Sequence, residues 1–215
     1  MARSTKEEAL ETRNRILNAA EDVFHEKGVG CTSLADVASA ANVTRGAIYW
    51  HFKNKSDVFD AMCERVRLPM EAMVEANGEA GGTNPLGQLR TTYVFLFQET
   101  VRNSHSRKVF DILFNKCEFV SEADPIMIRQ RECFLQGSKN LERILRNAIA
   151  REQLPADLDV KLAGITLHAQ IVGLLKNWLF SPNSFDLAEN AEKLADTCID
   201  VLRYVPSLRK SPAKN

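Results

Sequence analysis

TSLADVASAANVTRGAIYWHFKNK, residues 32 to 55, is the stretch that decides the fold of this chain. Four apolar residues in its first half repeat at helical spacing: Leu34, Val37, Ala38 and Ala41. Thr32 or Ser33 can cap this short helix, and the residues after it predict a tight turn. Thr44 is placed to cap a second helix over residues 45 to 51. Two short helices joined in this way are typical of a helix-turn-helix, which reads DNA in the major groove.

The first residues of the second helix are expected to meet base edges, because this end of the helix enters the major groove. Arg45 has a planar guanidinium that can bind guanine O6 and N7 together, or can instead hold a phosphate. Gly46 and Ala47 lack bulk and allow close approach, and the methyl groups of Thr44 and Ala47 can meet a thymine methyl. Gly46 costs a helix about 1 kcal/mol relative to alanine, which favours close approach as the reason for it.

The net charge is zero, with 28 basic and 28 acidic residues. This argues against nucleic acid at first, because neutralisation of phosphates by Lys and Arg supplies most non-specific DNA affinity. The distribution of charge nevertheless supports DNA binding, since residues 44 to 55 carry Arg45, Lys53 and Lys55 and no acidic residue. Such a small basic footprint predicts modest affinity per subunit and binding to double-stranded DNA as a dimer. The alternative is a solvated basic face without a partner.

The block VTRGAIYWHFKNKSDVF, residues 43 to 59, resembles the TetR family of one-component repressors. In that family a Tyr-x-His-Phe segment ends the recognition helix, and a lysine follows shortly after. Three further runs are similar to the AcrR-like or TtgR-like branch, which controls multidrug efflux pumps: ARSTKEEALETRNRILNAA from Ala2, KCEF around Cys117 and NWLFSP around Trp178. The resemblance implies a repressor that leaves a palindromic operator when a hydrophobic small molecule binds its C-terminal domain.

The same resemblance implies that Tyr49 and His51 touch the phosphate backbone. Lys55 and the helix N-terminus at Thr32 and Ser33 are expected to complete the clamp, since cations and backbone N–H donors bind phosphates. These residues extend the predicted DNA interface beyond the base-reading helix.

The other residues between Ile48 and Phe52 are expected either to pack the small domain or to contact DNA. Ile48 and Phe52 are expected to pack the small domain, whereas Trp50 fits either role and is counted among the DNA contacts. His51 could be a core histidine, but its place between Trp50 and Phe52, beside a basic loop, favours phosphate.

The chain as a whole, with 215 residues and 45% hydrophobic content, fits one compact unit or two tightly joined ones. No stretch approaches the roughly 20 apolar residues of a membrane helix, and the N-terminus has no apolar signal core. These features predict a cytoplasmic protein without a membrane partner. The five cysteines lack metal-ligand spacing, so disulfides and a metal site are not expected, and neither is a cofactor.

Helical periodicity without strand alternation predicts an all-α fold. Residues 1–56 are assigned to a three-helix helix-turn-helix DNA-binding domain and residues 57–215 to a helical ligand-binding and dimerisation domain. The first helix is expected from Lys6 to Lys27, and a connecting helix is expected to open at Ser56 with a kink or break near Leu68 caused by Pro69. A loop is predicted over residues 78–85, and later helices are predicted over residues 86–102, 106–117, 126–151, 157–180 and 186–204.

The last two predicted helices carry more apolar surface than one neighbour can cover. In residues 157–180 the apolar positions spread around most of the circumference, and the final helix has a second apolar stripe. Packing of this pair against its symmetry mate in a four-helix bundle would bury the excess. A homodimer through the last two helices is therefore predicted, with a monomer core as the alternative.

Six of the eleven phenylalanines fall between residues 95 and 134. Such a stripe is usually core, but small-molecule sites between helices are also mostly apolar with few polar groups. By resemblance, seven positions are expected to line a cavity for a hydrophobic effector: Phe110, Phe114, Phe134, Gly137, His168, Ile171 and Val172. Each could equally be ordinary core. Effector binding is expected to shift the connecting helix, so that the two recognition helices lose the spacing of about 34 to 36 Å that B-DNA requires.

Three other functions compete with this reading. An enzyme lacks support, because the sequence has no nucleophile elbow, phosphate loop or metal-binding pair. A general architectural DNA binder conflicts with the neutral net charge. A redox sensor on the same fold would use Cys31 beside the reader helices or Cys63 on the connecting helix, although no activating basic neighbour of Cys31 is evident.

Overall fold

The computed structural model describes residues 6–76, 84–118 and 124–210. Over these residues the chain is all-α, as predicted, with nine helices, a short 3-10 turn at Pro206–Leu208 and a single isolated bridge between Leu158 and Arg209. The helices are α1 Lys6–Lys27, α2 Leu34–Ala40, α3 Arg45–His51, α4 Lys55–Ala76, α5 Pro85–Arg102, α6 Ser104–Asn115, α7 Pro125–Ala150, α8 Val160–Phe180 and α9 Ala191–Tyr204. Within the described ranges, no helix is both long enough and apolar enough to cross a bilayer.

The chain forms two compact units. The first unit contains residues 1–68 and 103–130, and the second contains residues 69–102 and 131–215, as far as these ranges are described. The first unit therefore holds α1, α2, α3, the start of α4, α6 and the start of α7. The predicted domain division at residue 56 stays a prediction, because the compact units divide the chain at other places.

The core of the first unit is built around α1, which covers the two reader helices α2 and α3. The α1 face that was expected to be apolar buries Ile16, Leu17 and Phe24 completely. Phe24 packs against Phe59 of α4 with their ring centroids 6.3 Å apart. Gly28 ends the helix with φ of 80°, a left-handed conformation that glycine adopts without steric cost, and its N–H donates to the Phe24 carbonyl.

The connecting helix α4 differs from the prediction in both its start and its continuity. It begins at Lys55 because the Asn54 side chain accepts from the Asp57 N–H, while the Asp57 carboxylate accepts from the Lys53 N–H, each at 2.9 Å. The predicted break near Leu68 is wrong, since the helix continues through Pro69 to Ala76. A proline removes one backbone hydrogen bond, and here the remaining bonds carry the helix past it. The boundary between the compact units nevertheless falls directly before this proline.

In the second unit, α5 and α8 both pack on α9. Arg90 of α5 reaches two carboxylates of α9, with Nε 2.5 Å from the Asp196 carboxylate and Nη2 3.1 Å from that of Glu192. These bonds raise the pKa of Arg90, so the guanidinium is charged at every accessible pH. The buried core between the helices includes Phe97, Leu145, Leu167, Ala195 and Leu202.

Capping side chains explain why several helices begin away from the predicted residue. Asn103 caps α6 by accepting from the His105 and Ser106 N–H groups, so this helix starts at Ser104 rather than Ser106. Asp159 caps α8, which starts at Val160 rather than Asp157. The Asp186 side chain accepts from the Glu189 N–H in a separate turn, and α9 starts only at Ala191. Residues 78–83 of the predicted loop, and Phe119, lie outside the described residues.

Candidate nucleic-acid interface

The turn between α2 and α3 has the geometry of a helix-turn-helix. Ser33 caps α2, and Asn42 lies in the turn with φ of 52°, where asparagine is one of the few non-glycine residues tolerated. The Val43 N–H donates to the Ala38 carbonyl across this turn at 3.0 Å. Thr44 then caps α3, with its hydroxyl accepting from the Ala47 N–H at 3.1 Å. Both caps are those that the sequence predicts.

Helix α3 separates into a buried side and an exposed side. Ile48 is completely buried and Phe52, just after the helix, is 4% exposed, which confirms their assignment to packing. The other side presents Arg45 and Gly46 to solvent, and with them Tyr49 at 58% and Trp50 at 72% exposure. A surface this aromatic is unusual without a partner, since large apolar side chains are normally covered.

Gly46 is not required by contacts inside the protein. A Cβ placed there would lie 3.8 Å from the Thr44 hydroxyl and closer to nothing else. Its backbone does not have a positive φ either, because Gly28 is the only glycine with positive φ among the described residues. The absence of a side chain therefore leaves space on the outer face of α3, where a base edge could approach.

His51 and its neighbours connect α3 to α1. Trp50 meets His51 edge to face with ring centroids 4.5 Å apart, and the Arg13 guanidinium of α1 lies 5.2 Å from the centroid of the Phe52 ring. Partial burial lowers the pKa of His51, and the charge of Arg13 lowers it further. His51 is therefore mainly neutral at pH 7 and can donate only one ring N–H. The sequence did not predict Arg13 as a neighbour, because 38 residues separate it from His51 and no local pattern connects them.

Three residues of the predicted phosphate clamp have other partners in the structure. Thr32 is 3% exposed, and its hydroxyl donates to the Gly28 carbonyl at 2.7 Å. Ser33 and Asp36 form a capping box that already satisfies the N-terminus of α2, and these bonds lower the pKa of Asp36 to about 2. Lys55 donates to the Val29 carbonyl at 2.6 Å and to that of Gly30 at 3.4 Å. Its ammonium group therefore secures the loop after α1 instead of pointing freely to solvent.

The seven predicted effector residues are divided between the two units. Phe110 and Phe114 lie on α6 in the first unit, with their rings stacked at a centroid distance of 6.0 Å. In the second unit, Phe134 of α7 meets His168 of α8 edge to face at 5.1 Å, and desolvation by the surrounding protein lowers the pKa of His168. Gly137 is exposed, Ile171 is buried and Val172 is half-buried. A surface cleft of 510 Å³ in the second unit contains none of the seven.

The outer face of α8 is apolar. Its inner face buries Leu167, Ile171 and Leu175, as a core helix does, whereas Leu162 and Ile165 are 42% and 57% exposed on the opposite side. Three further apolar residues continue this outer face at helical spacing, Ala169, Val172 and Phe180, with the exposed Lys176 among them. The surplus of apolar surface that the sequence indicated is therefore present on α8 and is uncovered in a single chain. The apolar stripe of α9 is instead buried within the chain: Ala191, Ala195, Cys198, Ile199 and Leu202.

The cysteines show no site in the described part of the chain. None of the five forms a disulfide, and no cluster of side chains that could hold a metal occurs among the described residues. Burial raises the pKa of Cys117 to about 12 and also raises the pKa of Cys198, which keeps both as unreactive thiols at neutral pH. Cys31 is exposed beside the loop that Lys55 secures.

The sequence of this chain matches known protein families and individual relatives. Residues 16–62 match the family described as bacterial regulatory proteins, tetR family, and residues 84–204 match the C-terminal region of MAATS-type transcriptional repressors. The HTH-type transcriptional regulator TtgR of Pseudomonas putida is 40% identical over 210 residues, which cover 98% of this chain and 100% of the relative.

Two solved structures are similar over nearly the whole chain. NalD, the secondary repressor of the MexAB-OprM multidrug efflux pump in Pseudomonas aeruginosa, has a TM-score of 0.79 at 35% identity and covers 93% of this chain and 100% of its own. SmeT of Stenotrophomonas maltophilia in complex with triclosan also has a TM-score of 0.79, at 32% identity, and covers 95% of this chain and 100% of its own.

Proposed function

Because this chain belongs to the TetR family of bacterial transcriptional regulators, we propose that it is a ligand-responsive repressor of a multidrug efflux operon. The observation that carries the proposal is the outer face of α3, where Arg45, Tyr49 and Trp50 are exposed on a capped reader helix. The similarity to TtgR and NalD extends over both compact units, so it supports a regulator of the same kind rather than a shared DNA-binding module alone. We propose no enzymatic reaction for this protein. We propose that it binds its operator in the cytoplasm.

In this proposal the DNA contacts are made by the face of α3 and by the residues at its two ends. Arg45 binds a guanine in the major groove, and Gly46 and Ala47 let the helix lie close to the bases. Thr44, Tyr49, Trp50 and His51 contact phosphate or sugar. Ser33 lies at the edge of the interface with its N–H donating to the Asp36 carboxylate, whereas Thr32 and Lys55 support the interface by holding the loop after α1.

The proposed repressor is a homodimer that binds a palindrome. A helix-turn-helix dimer must present its two recognition helices about 34 to 36 Å apart. The exposed apolar face of α8, with Leu162 and Ile165, supports pairing with the same face of a second copy alongside α9. Phe180, 86% exposed at the end of α8, would be covered in the same pairing.

The proposed effector is a flat hydrophobic molecule. The SmeT relative binds triclosan, a compound of that character, which supports the same ligand class here. Phe134 and His168 form a half-open aromatic pair with one polar group, the combination that orients a ligand in a largely apolar site. In the second unit, Gly137, Ile171 and Val172 remain part of the proposal, and the contacts expected at Phe110 and Phe114 of the first unit stay predictions.

The test is fluorescence anisotropy with labelled DNA from immediately upstream of the protein's own gene, at near-physiological salt and with excess unrelated competitor. We expect saturable binding to one palindrome, release by triclosan or related hydrophobic compounds, and loss of specific binding in Arg45→Ala. The matched control is Arg143→Ala, which removes an exposed arginine of the second unit and should leave affinity unchanged.

The outcomes separate the parts of the proposal. Binding without sequence preference would contradict the repressor. Specific binding that no compound alters would remove the effector while leaving the DNA-binding function intact. An equal loss of affinity in Arg143→Ala would mean that general positive charge, and not the reader helix, supplies the affinity.

A further inference from the structure

A carboxylate in the first unit is buried although it belongs to neither the reader helices nor the proposed DNA contacts. Glu21 of α1 is 1% exposed. Its Oε1 lies 2.9 Å from an Nη1 of Arg65 on α4, and its Oε2 lies 2.5 Å from Nδ1 of His105 on α6. One side chain therefore joins three helices. We refer to Glu21, Arg65 and His105 as the Glu21 joint.

The arginine of the joint is held on α1 by more than the carboxylate. Its Nη1 also donates to the Asn18 side chain at 2.7 Å, and its Nη2 donates to both the backbone carbonyl and the side-chain oxygen of Asn14 at 3.1 Å. Because a guanidinium is a rigid planar fork, these bonds fix the orientation of α4 against α1 as well as their distance.

Both partners of Glu21 stand close to points where the chain passes from one unit to the other. Helix α4 leaves the first unit after Leu68, and Arg65 lies within one helical turn of that residue. The chain returns at Asn103, and His105 lies in the first turn of α6, whose N-terminus is capped by the Asn103 side chain. The joint therefore binds the final first-unit turn of α4 and the first turn of α6.

Burial makes these ties difficult to break. A carboxylate that is removed from water is tolerated only while it is paired and hydrogen-bonded, and loss of Arg65 would leave its buried charge uncompensated. If α4 or α6 moves, the least costly response is for α1 to move with it.

We propose that the Glu21 joint transmits a displacement of α4 and α6 to the DNA-reading helices. Helix α1 packs on α2, and α2 packs on α3, so a movement of α1 reaches the reader face. This inference rests on the proposed function, because it explains how effector binding ends operator binding. Glu21, Arg65 and His105 are positioning residues in this scheme, and none of them touches DNA or effector.

The neighbouring residue offers a matched control. Asp22 of α1 pairs with Lys108 of α6 along the same seam, but its side chain is 62% exposed. Exposed ion pairs contribute little and separate easily, since water replaces the partner. Asp22→Asn and Glu21→Gln make the same chemical change on adjacent residues of one helix, so a difference between them isolates the buried joint.

The first experiment measures the operator dissociation constant without and with saturating triclosan, for the wild type, Glu21→Gln and Asp22→Asn. Allosteric effectors typically change affinity by roughly 5- to 150-fold. We expect the wild type and Asp22→Asn to fall in this range, while Glu21→Gln binds operator within about threefold of the wild type and responds to triclosan by less than about twofold. Triclosan affinity, measured by calorimetry, should be retained in all three proteins.

Two results of this experiment overturn the proposal. One is an unchanged triclosan response in Glu21→Gln. The other is a loss of operator binding in a folded Glu21→Gln protein, because the joint would then build the reader domain rather than transmit movement to it.

A second experiment does not depend on any effector. Operator DNA should slow amide exchange in the first turn of α6 as well as in α3 of the wild type, because coupling between sites is reciprocal. In Glu21→Gln the protection of α3 should persist and that of α6 should vanish.

If triclosan fails to release the wild type but this pattern holds, the effector proposal fails and the joint stands. Equal α6 protection in both proteins overturns the joint, and a wild type that binds no operator ends both proposals.

His105→Gln provides a further variant should Glu21→Gln fail to fold. The His105 side chain is 53% exposed, so its replacement leaves the buried Glu21–Arg65 pair in place. We expect triclosan to weaken operator binding by His105→Gln less than it weakens binding by the wild type or the Asp22→Asn control. The response should nevertheless exceed that of a fully uncoupled protein. A response equal to that of the control would overturn the role of α6 in the joint.

Discussion

Helix α3 allows packing and DNA contact to be separated with two substitutions within a single helical turn. Ile48 is completely buried, whereas Trp50 is 72% exposed, and both lie within the same seven-residue helix. Replacement of Ile48 by alanine removes three buried carbons, each worth about 0.8 kcal/mol, or about 2.4 kcal/mol together. The cavity that remains adds to this loss, so Ile48→Ala should lower the free energy of unfolding by about 3 kcal/mol.

Trp50→Ala should have the opposite profile. The exposed indole contributes little to folding, so the free energy of unfolding should change by less than about 0.5 kcal/mol. If Trp50 contacts an operator phosphate as proposed, its loss should weaken binding by about 1.5 to 3 kcal/mol, which corresponds to a tenfold change or more.

The assays are thermal unfolding followed by circular dichroism and operator binding followed by anisotropy. A change of 1 kcal/mol shifts Tm by about 2 to 4 °C in a chain of this size, so Ile48→Ala should lower Tm by about 6 to 12 °C. The reasoning is refuted if Trp50→Ala lowers Tm as much as Ile48→Ala does, or if Ile48→Ala leaves Tm unchanged. Hydrogen exchange of the α2 and α3 amides would show whether the loss is confined to the first unit.

Three further predictions follow from single contacts. Asn42, at φ of 52° in the reader turn, should tolerate glycine with a gain of a few tenths of a kcal/mol, whereas Asn42→Val should destabilise the protein by about 1 to 2 kcal/mol in urea unfolding. Asp36, with its pKa lowered to about 2 from 3.8, should stabilise α2 fully above pH 3.8 and lose that contribution as the pH falls through about 2. The difference in unfolding free energy between wild type and Asp36→Asn should therefore decrease as the pH approaches 2 and disappear below it, and a constant difference would contradict the capping box. Ile165→Glu on the exposed face of α8 should give a monomer by analytical ultracentrifugation, while Arg143→Glu on α7 should not, and a dimer in both would place the interface elsewhere.

Pro69 is a case in which one of two sequence-based alternatives is wrong. Proline inside a helix predicts a kink or a break, and α4 continues to Ala76, so there is no break, whereas the kink stays a prediction. The local cost of the proline is the loss of one backbone hydrogen bond, and a 22-residue helix has enough others to continue. The compact units divide between Leu68 and Pro69.

The DNA-reading element was predictable because its signals are local. Ser33 and Thr44 cap helices within three residues of themselves, Gly28 ends α1 one residue past the helix, and Ile48 and Phe52 follow the helical period. Backbone N–H groups at a helix start need a partner nearby in the chain, so the sequence predicts the cap of α3 at Thr44 and restricts that of α2 to Thr32 or Ser33, of which the structure selects Ser33. The same is true of the all-α class, which rests on periodicity within each helix.

Contacts between distant residues were decided only by the tertiary structure. Lys55 was assigned to phosphate by its charge, but packing brings it to the carbonyl of Val29, 26 positions away. Glu21 carried no signal as one of many acidic residues in α1, and only the meeting of Arg65 and His105, 44 and 84 positions away, makes it a buried joint. The sequence determines the charge and the size of each side chain. Its burial and its partners depend on which helices pack together, and that is set by the whole core at once.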